Sequence, residues 1–478
     1  MTSCAPRASR SSSPHPDHGP RAVAPIGGQP FGTPFDAKRG YPPTVTDGPR
    51  RTVLRGARWP GDVAFAGGRI TAVGEVAADD GDLVVRCDGA IITAGLINTH
   101  HHLYQWLTRG YAVGDDLFGW LTTLYPVWGR ITADDVRAAA LVGLAELLLS
   151  GCTTAADHHY LVPSSDDSVF DALAEAAGIM GIRLHLARGS MDLGESDGGL
   201  PPDNVVEDID TILDSTAAVA SRLHDGERIV VTVAPCSPFS VTPDLMRRSA
   251  ELARDLGLRL HTHLAETVDE ERDALARYGR RPLDLLDDLG WIADDVWVAH
   301  AVHLDAAEIV RLGEAGTGVA HCPSSNARLG AGICPVTDLR AAGVPVGLGV
   351  DGAASNEVGG LLPELHQALY AARLRVGRAD AFMPADALEL ATAGGAACLG
   401  RDDIGRLEPG WRADIVVWPA HDLTDIADPI DGMVLGPDRH AHHVFVGGRQ
   451  VVADGRVLGA DMTALRRDLA ARAHRLRS

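Results

Sequence analysis

Between residues 91 and 402 the apolar positions fall into two kinds of run. Short continuous ones occur at 91–97, 153–156, 183–187, 229–234, 258–264, 296–299, 318–321 and 346–350. Runs such as 296–299 and 346–350 are apolar on both sides of an extended chain, as strands of a buried parallel sheet are. Longer stretches, with apolar residues every three or four positions, lie between or after them at 133–150, 168–177, 205–222, 243–256 and 363–376, and predict helices. Eight strands interleaved with helices predict an α/β fold, a (β/α)8 TIM-type barrel over 91–402, with its active site at the strands' C-terminal ends.

The flanks have a different texture. β-type runs at 53–54, 62–65, 69–73 and 83–85 are answered near the other end by 414–418 and 443–446. Phe65-Ala66-Gly67-Gly68-Arg69 and Phe445-Val446-Gly447-Gly448-Arg449 are near copies, each carrying a Gly-Gly hairpin signal. One small β-sandwich domain assembled from both chain ends, 49–90 and 403–458, is expected, with the barrel inserted and a C-terminal helix at 459–478. Residues 1–48, rich in Ser, Pro, Arg and Gly without apolar period, read as a disordered tail. No apolar segment follows Arg7 and Arg10, so an extended or misassigned start fits better than a targeting peptide.

Composition narrows the function. A net charge of -21 argues against nucleic-acid and anionic-membrane partners, which need basic patches. No apolar stretch is long enough to span a bilayer. The seven cysteines are scattered and never spaced as Cys-x-x-Cys, which points to free thiols and a cytoplasmic location. Lys38 is the only lysine and lies in the expected tail. Schiff-base chemistry and a carbamylated lysine bridging two metals are therefore not expected in the folded body, and a metal site would be mononuclear.

Polar residues collect at the predicted strand ends. The first run leads into Asn98-Thr99-His100-His101-His102, where alternation points His100 and His102 one way and His101 the other. Strand five ends in His261-Thr262-His263-Leu264-Ala265-Glu266, strand six in His300-Ala301-Val302-His303, strand seven in His321-Cys322-Pro323-Ser324-Ser325-Asn326, and strand eight in Asp351-Gly352-Ala353-Ala354-Ser355-Asn356. One histidine at a strand end is usually structural; recurrence at equivalent ends is not so easily explained. Three imidazoles, one carboxylate and a water suit a catalytic zinc with an open position, and the same donors accept iron. His261 competes with His263, and His303 with His300, on the residues alone.

As a set, His-x-His after strand one, His-x-x-Glu after strand five, His after strand six and Asp-Gly-x-x-Ser-Asn after strand eight resemble the amidohydrolase superfamily. Within it they are similar to the cytosine, guanine and S-adenosylhomocysteine deaminase branch, over residues 52–456. Asn98 to Gln105, Leu124-Tyr125-Pro126-Val127-Trp128 and Arg188-Gly189-Ser190-Met191 look most like members that deaminate 8-oxoguanine. Ala94 departs from the family, standing where a proline usually precedes the glycine.

The resemblance implies one Zn2+ per chain, with Fe2+ as the alternative, held by His100, His102, His263 and Asp351. It implies Glu266 as the acid/base that protonates a substrate ring nitrogen, His300 as the group steadying water or intermediate, and Asp351 as carrier of the water's proton to ammonia. His261 and His303 then take supporting positions. Gln105 stands where guanine deaminases carry a glutamine that reads the purine edge. Tyr104, Trp106, Tyr125 and Trp128 are candidates either to stack on a heterocycle or to pack the core. Arg188 would meet a substrate oxo group or pair with a neighbouring acid. The implied reaction is hydrolysis of 8-oxoguanine to urate and ammonia, on a small purine or related heterocycle, by a homo-oligomer. Guanine or isocytosine deamination and triazine hydrolysis are alternatives within the branch. A non-catalytic scaffold is the alternative from another class, and the intact ligand set with Glu266 argues against it.

Overall fold

The computed structural model describes residues 50–477, so the tail expected at 1–48 lies outside the described residues. Eight parallel strands form the barrel: Leu96–His102, Cys152–His159, Arg183–Ser190, Ile229–Pro235, Leu260–Leu264, Val296–His300, Gly318–His321 and Val346–Leu348. Each pairs with the next, and Leu348 pairs with Asn98 to close the ring. Asp351–Gly352 then returns beside the first strand, opposite His101 and His102. That short return is what carries Asp351 to the histidine triplet.

The apolar run 91–97 is not one strand. Ile91–Ala94 pairs antiparallel with Ile415–Trp418 in a separate sheet, and the barrel begins at Leu96. Gly95 lies at the change of sheet because a Cβ there would fall 2.1 Å from Thr153 Oγ1. Both halves are fully buried and Thr93 is the one polar residue of 91–97, so the break leaves no mark in the hydrophobic pattern.

Outside the barrel, a four-stranded sheet from 52–86 faces a five-stranded sheet that contains Ile91–Ala94 and four strands from 415–457. Leu54, Val63, Phe65, Ile92, Ile415, Val417 and Phe445 are buried together between them. The two Gly-Gly hairpins meet there: Phe65 and Phe445 lie 5.2 Å apart, and a Cβ on Gly68 would come 3.1 Å from the Gly447 carbonyl oxygen. The repeated motif thus marks two hairpins packed on one another.

The helix Ala133–Leu149 opens with a capping box, Thr132 and Asp135 exchanging side-chain bonds with each other's backbone N–H. The C-terminal helix Met462–Arg477 docks on it, with Arg472 and Arg475 both reaching the buried Asp135. Another helix, Leu117–Trp128, buries Leu117, Trp120, Leu121, Leu124, Tyr125 and Trp128 on one face. Gly119 and Pro126 disguise its period in the sequence. No helix among the described residues is long and apolar enough to cross a membrane.

Candidate active site

Three histidine side chains enter the barrel mouth with their protons already committed. His102 Nδ1 donates to the His158 carbonyl at 2.6 Å, and His263 Nδ1 donates to the Cys236 carbonyl at 2.6 Å. His261 Nδ1 donates to the Trp297 carbonyl at 2.9 Å, so its Nε2 accepts from His100 Nδ1 at 2.8 Å. Each of His100, His102 and His263 is left with an Nε2 lone pair directed inward. Burial, the largest influence, lowers the pKa of all three and keeps them neutral.

The inward atoms crowd one another. Nε2 of His102 lies 3.1 Å from Nε2 of His263, and Asp351 Oδ1 lies 3.3 Å from His102 Nε2 and 3.5 Å from His100 Nε2. His100 Nε2 is buried without a hydrogen-bond partner. Lone pairs of this kind repel unless a cation sits among them, and an N3O donor set is what zinc takes. The four residues are therefore candidate ligands of a single metal ion. Burial would raise the Asp351 carboxyl, but the imidazoles of His100, His102 and His300 hold it well below the usual carboxylate range.

Three further groups converge beside these donors. His300 Nε2 lies 3.5 Å from Glu266 Oε2 and 4.0 Å from Asp351 Oδ2. Burial pushes the Glu266 carboxyl up to about 7, with His300 opposing and Asp351 and Glu270 adding to the rise. Burial works against a charged His300, yet Glu266, Asp351 and the bond to Asn326 raise its pKa overall. Ala265, His300 and Asp351 all have positive φ, at 51°, 73° and 61°, so the strand ends bend sharply where the side chains gather. Glu270 braces one bend by accepting the Ala265 and Glu266 N–H groups at 2.9 and 2.8 Å.

A cleft of about 400 Å³ opens over this cluster, lined at its mouth by Leu117, Trp120, Leu121, Tyr125, Phe239 and Leu329. Gln105 lines it too, and its Oε1 accepts from the Ala354 N–H at 3.3 Å. Gly352 permits that approach, since a Cβ there would fall 1.8 Å from Gln105 Oε1. Of the aromatic candidates, Tyr125 lines the cleft, whereas Tyr104, Trp106 and Trp128 pack in the core.

Arg188 does not reach the cleft. Alternation along the third strand puts it with Leu184 and Leu186, facing the helices. Its guanidinium forks onto Glu207 with two 3.0 Å bonds, and Ser215 and the Gly189 carbonyl take the remaining N–H groups. All five donors are used, so the expectation that Arg188 meets a substrate oxo group is corrected to a buried ion pair. His303 likewise turns away, to the Ala331 carbonyl.

Reading strand ends five to eight passes over the second and fourth. His158 packs against His263 with ring centroids 4.9 Å apart, while Tyr160, Cys236 and Ser237 line the cleft. The run Asp157-His158-His159-Tyr160 carries the same signal as the other strand ends.

With that geometry, comparison with known proteins assigns the family. Residues 91–451 match the amidohydrolase family model. An 8-oxoguanine deaminase from Pseudomonas aeruginosa is 52% identical over 382 residues, 78% of this chain and 85% of that protein. An isoxanthopterin deaminase of an unknown prokaryotic organism is 37% identical over 88% of this chain and 93% of its own. Among solved structures, an atrazine chlorohydrolase from Arthrobacter aurescens TC1 complexed with zinc superposes with a TM-score of 0.83 at 33% identity, covering 88% of this chain and all of that one. The chain belongs to the amidohydrolase family. It is a hydrolytic deaminase, an enzyme acting on C–N bonds.

Proposed function

We propose that this enzyme hydrolyses 8-oxoguanine to urate and ammonia with one zinc ion held by His100, His102, His263 and Asp351. The observation that carries the reading is the approach of Glu266 Oε2 and Asp351 Oδ2 to within 4.0 Å of His300 Nε2, beside four inward-facing candidate metal donors. Bound zinc would supply a water acidified toward neutrality.

The chain's own residues do the rest. Glu266, with its carboxyl lifted to about 7, is about half protonated at neutral pH, and the protonated form donates to the ring nitrogen beside the amine-bearing carbon. Asp351, held ionised, accepts the water's proton and passes it to the departing amine. The C–O bond forms first, giving a tetrahedral carbon; the C–N bond then breaks to release ammonia while the new hydroxyl returns its proton to Glu266, and His300 Nε2 steadies that oxygen. Gln105, its oxygen tied to Ala354, donates its amide NH2 to the substrate's lactam oxygen. The 52% identity to an 8-oxoguanine deaminase supports the substrate choice.

The test is ammonia release against 8-oxoguanine, guanine, isocytosine, cytosine and aminotriazines, with chloride release scored for chlorotriazines. Preferred turnover of 8-oxoguanine supports the reading, and triazine turnover without purine turnover overturns it. Metal analysis of the purified enzyme distinguishes zinc from iron. The six described cysteines are all free thiols, which supports a cytoplasmic location.

A further inference from the structure

The short helix after the seventh strand, Pro323–Arg328, puts two buried side chains behind the convergent groups. Ser325 Oγ donates to Asp351 Oδ2 at 2.6 Å, and Asn326 Oδ1 accepts from His300 Nδ1 at 2.9 Å. Neither residue lines the cleft, so neither meets substrate. What they control is orientation. Asp351 Oδ1 faces His100 and His102, while Oδ2, the oxygen bonded to Ser325, lies 4.0 Å from His300 Nε2. His300 Nε2 in turn faces Glu266, and the ring's other nitrogen is the one Asn326 holds. One turn of chain thus holds an atom of each group, joined at Asp351 Oδ2 by Ser355 Oγ at 3.3 Å.

Two observations separate this from ordinary packing. His300 and Asp351 both have positive φ, a backbone region that L residues disfavour, and the short helix braces both side chains there. Asn326 Nδ2 is buried with no hydrogen-bond partner among the described residues. An amide matched at one end and unmatched at the other contributes little to folding. The turn is itself anchored by Glu364, which accepts from the Ser324 N–H at 3.2 Å and from Asn356 Nδ2 at 2.8 Å, tying the loops after strands seven and eight together.

We propose that Ser325 and Asn326 are positioning residues for the deamination, one holding Asp351 Oδ2 and the other holding the His300 ring with Nε2 toward Glu266. The inference rests on the roles given above to His300 and Asp351, not on the identity of the purine. Its test uses the zinc-loaded full chain in two pairs of variants. Asn326→Leu removes the acceptor at similar size and Asn326→Asp restores it; Ser325→Ala removes the hydroxyl and Ser325→Thr restores it.

Asn326→Leu and Ser325→Ala are expected to lose roughly tenfold or more in kcat, with KM and metal content unchanged, and Asn326→Asp and Ser325→Thr to recover most of it. Equal losses within a pair, a change confined to KM, metal lost in step with rate, or a variant that fails to fold would each overturn the proposal. Failure of the substrate reading shows separately, as a wild-type enzyme that turns over guanine, isocytosine or a triazine but not 8-oxoguanine. The variant series is then run on that substrate.

Discussion

Glu266 is buried among Glu270, His300 and Asp351, and its proton is the one the proposed chemistry needs. Glu266→Gln keeps the size and one acceptor but cannot shuttle protons. Its kcat should fall by roughly a hundredfold or more with zinc retained, as steady-state kinetics and metal analysis would show. An effect on KM alone would move the acid/base role elsewhere. Gln105 tests substrate recognition. Gln105→Ala should cost about 1–3 kcal/mol in kcat/KM for purines and isocytosine, which share an oxo and ring-NH edge. A dialkylated chlorotriazine lacks that edge and should be nearly indifferent; equal losses would indicate a folding role through the bond to Ala354. Asp157 makes a stability test. Burial pushes its carboxyl up to about 7, opposed by the bond from the Leu103 N–H. With the folded pKa above the unfolded value, the folded state holds the extra proton between the two, and stability falls as pH rises from about 4 through 7. Asp157→Asn keeps the acceptor and cannot ionise. Its unfolding free energy should therefore decline less between pH 5 and 8 than the wild type's, by on the order of 2–4 kcal/mol in denaturant titrations.

At the scale of elements, alternation along a strand decides which residues can act. The third strand sends Leu184, Leu186 and Arg188 to the helix layer, where Arg188 meets Glu207 and lies over the Phe170 ring. Breaking a buried pair leaves an uncompensated charge, so Arg188→Met should lower stability by about 3–5 kcal/mol. KM of the folded fraction should stay near the wild-type value. A large rise in KM at unchanged thermal stability would return Arg188 to the substrate. The same alternation explains the histidine pairs. His263 faces the donors, while His261, one step deeper in the barrel, orients His100 from behind.

For the whole molecule, the proposed metal ligands come from strands one, five and eight, so an ion there would fasten the barrel's closure as well as the reaction. Anything that binds only the folded state stabilises it by mass action. Chelation should lower Tm and abolish turnover, and zinc should restore both. His263→Ala or Asp351→Ala should lose the metal and show the lower Tm without chelator. Full zinc occupancy with a near-normal rate in either variant would sink the ligand assignment.

Much of this architecture is readable from the chain alone because it is local. Apolar runs of strand length, helical spacing between them and polar residues at equivalent ends are all set by neighbours in sequence; they determine the eight strands and offer His100, His102, His261 or His263, His300 or His303, Asp351 and Glu266, with the family resemblance choosing within each pair. Other features depend on residues far apart. The break at Gly95 exists because Thr153 occupies the space a side chain would need. Arg188 is structural because Glu207 and Ser215 reach it from other elements. The inward lone pairs of the three histidines are fixed by carbonyls of His158, Cys236 and Trp297, on neighbouring strands. Residue type decides what chemistry is available; which proton points where is settled only when distant strands lie side by side.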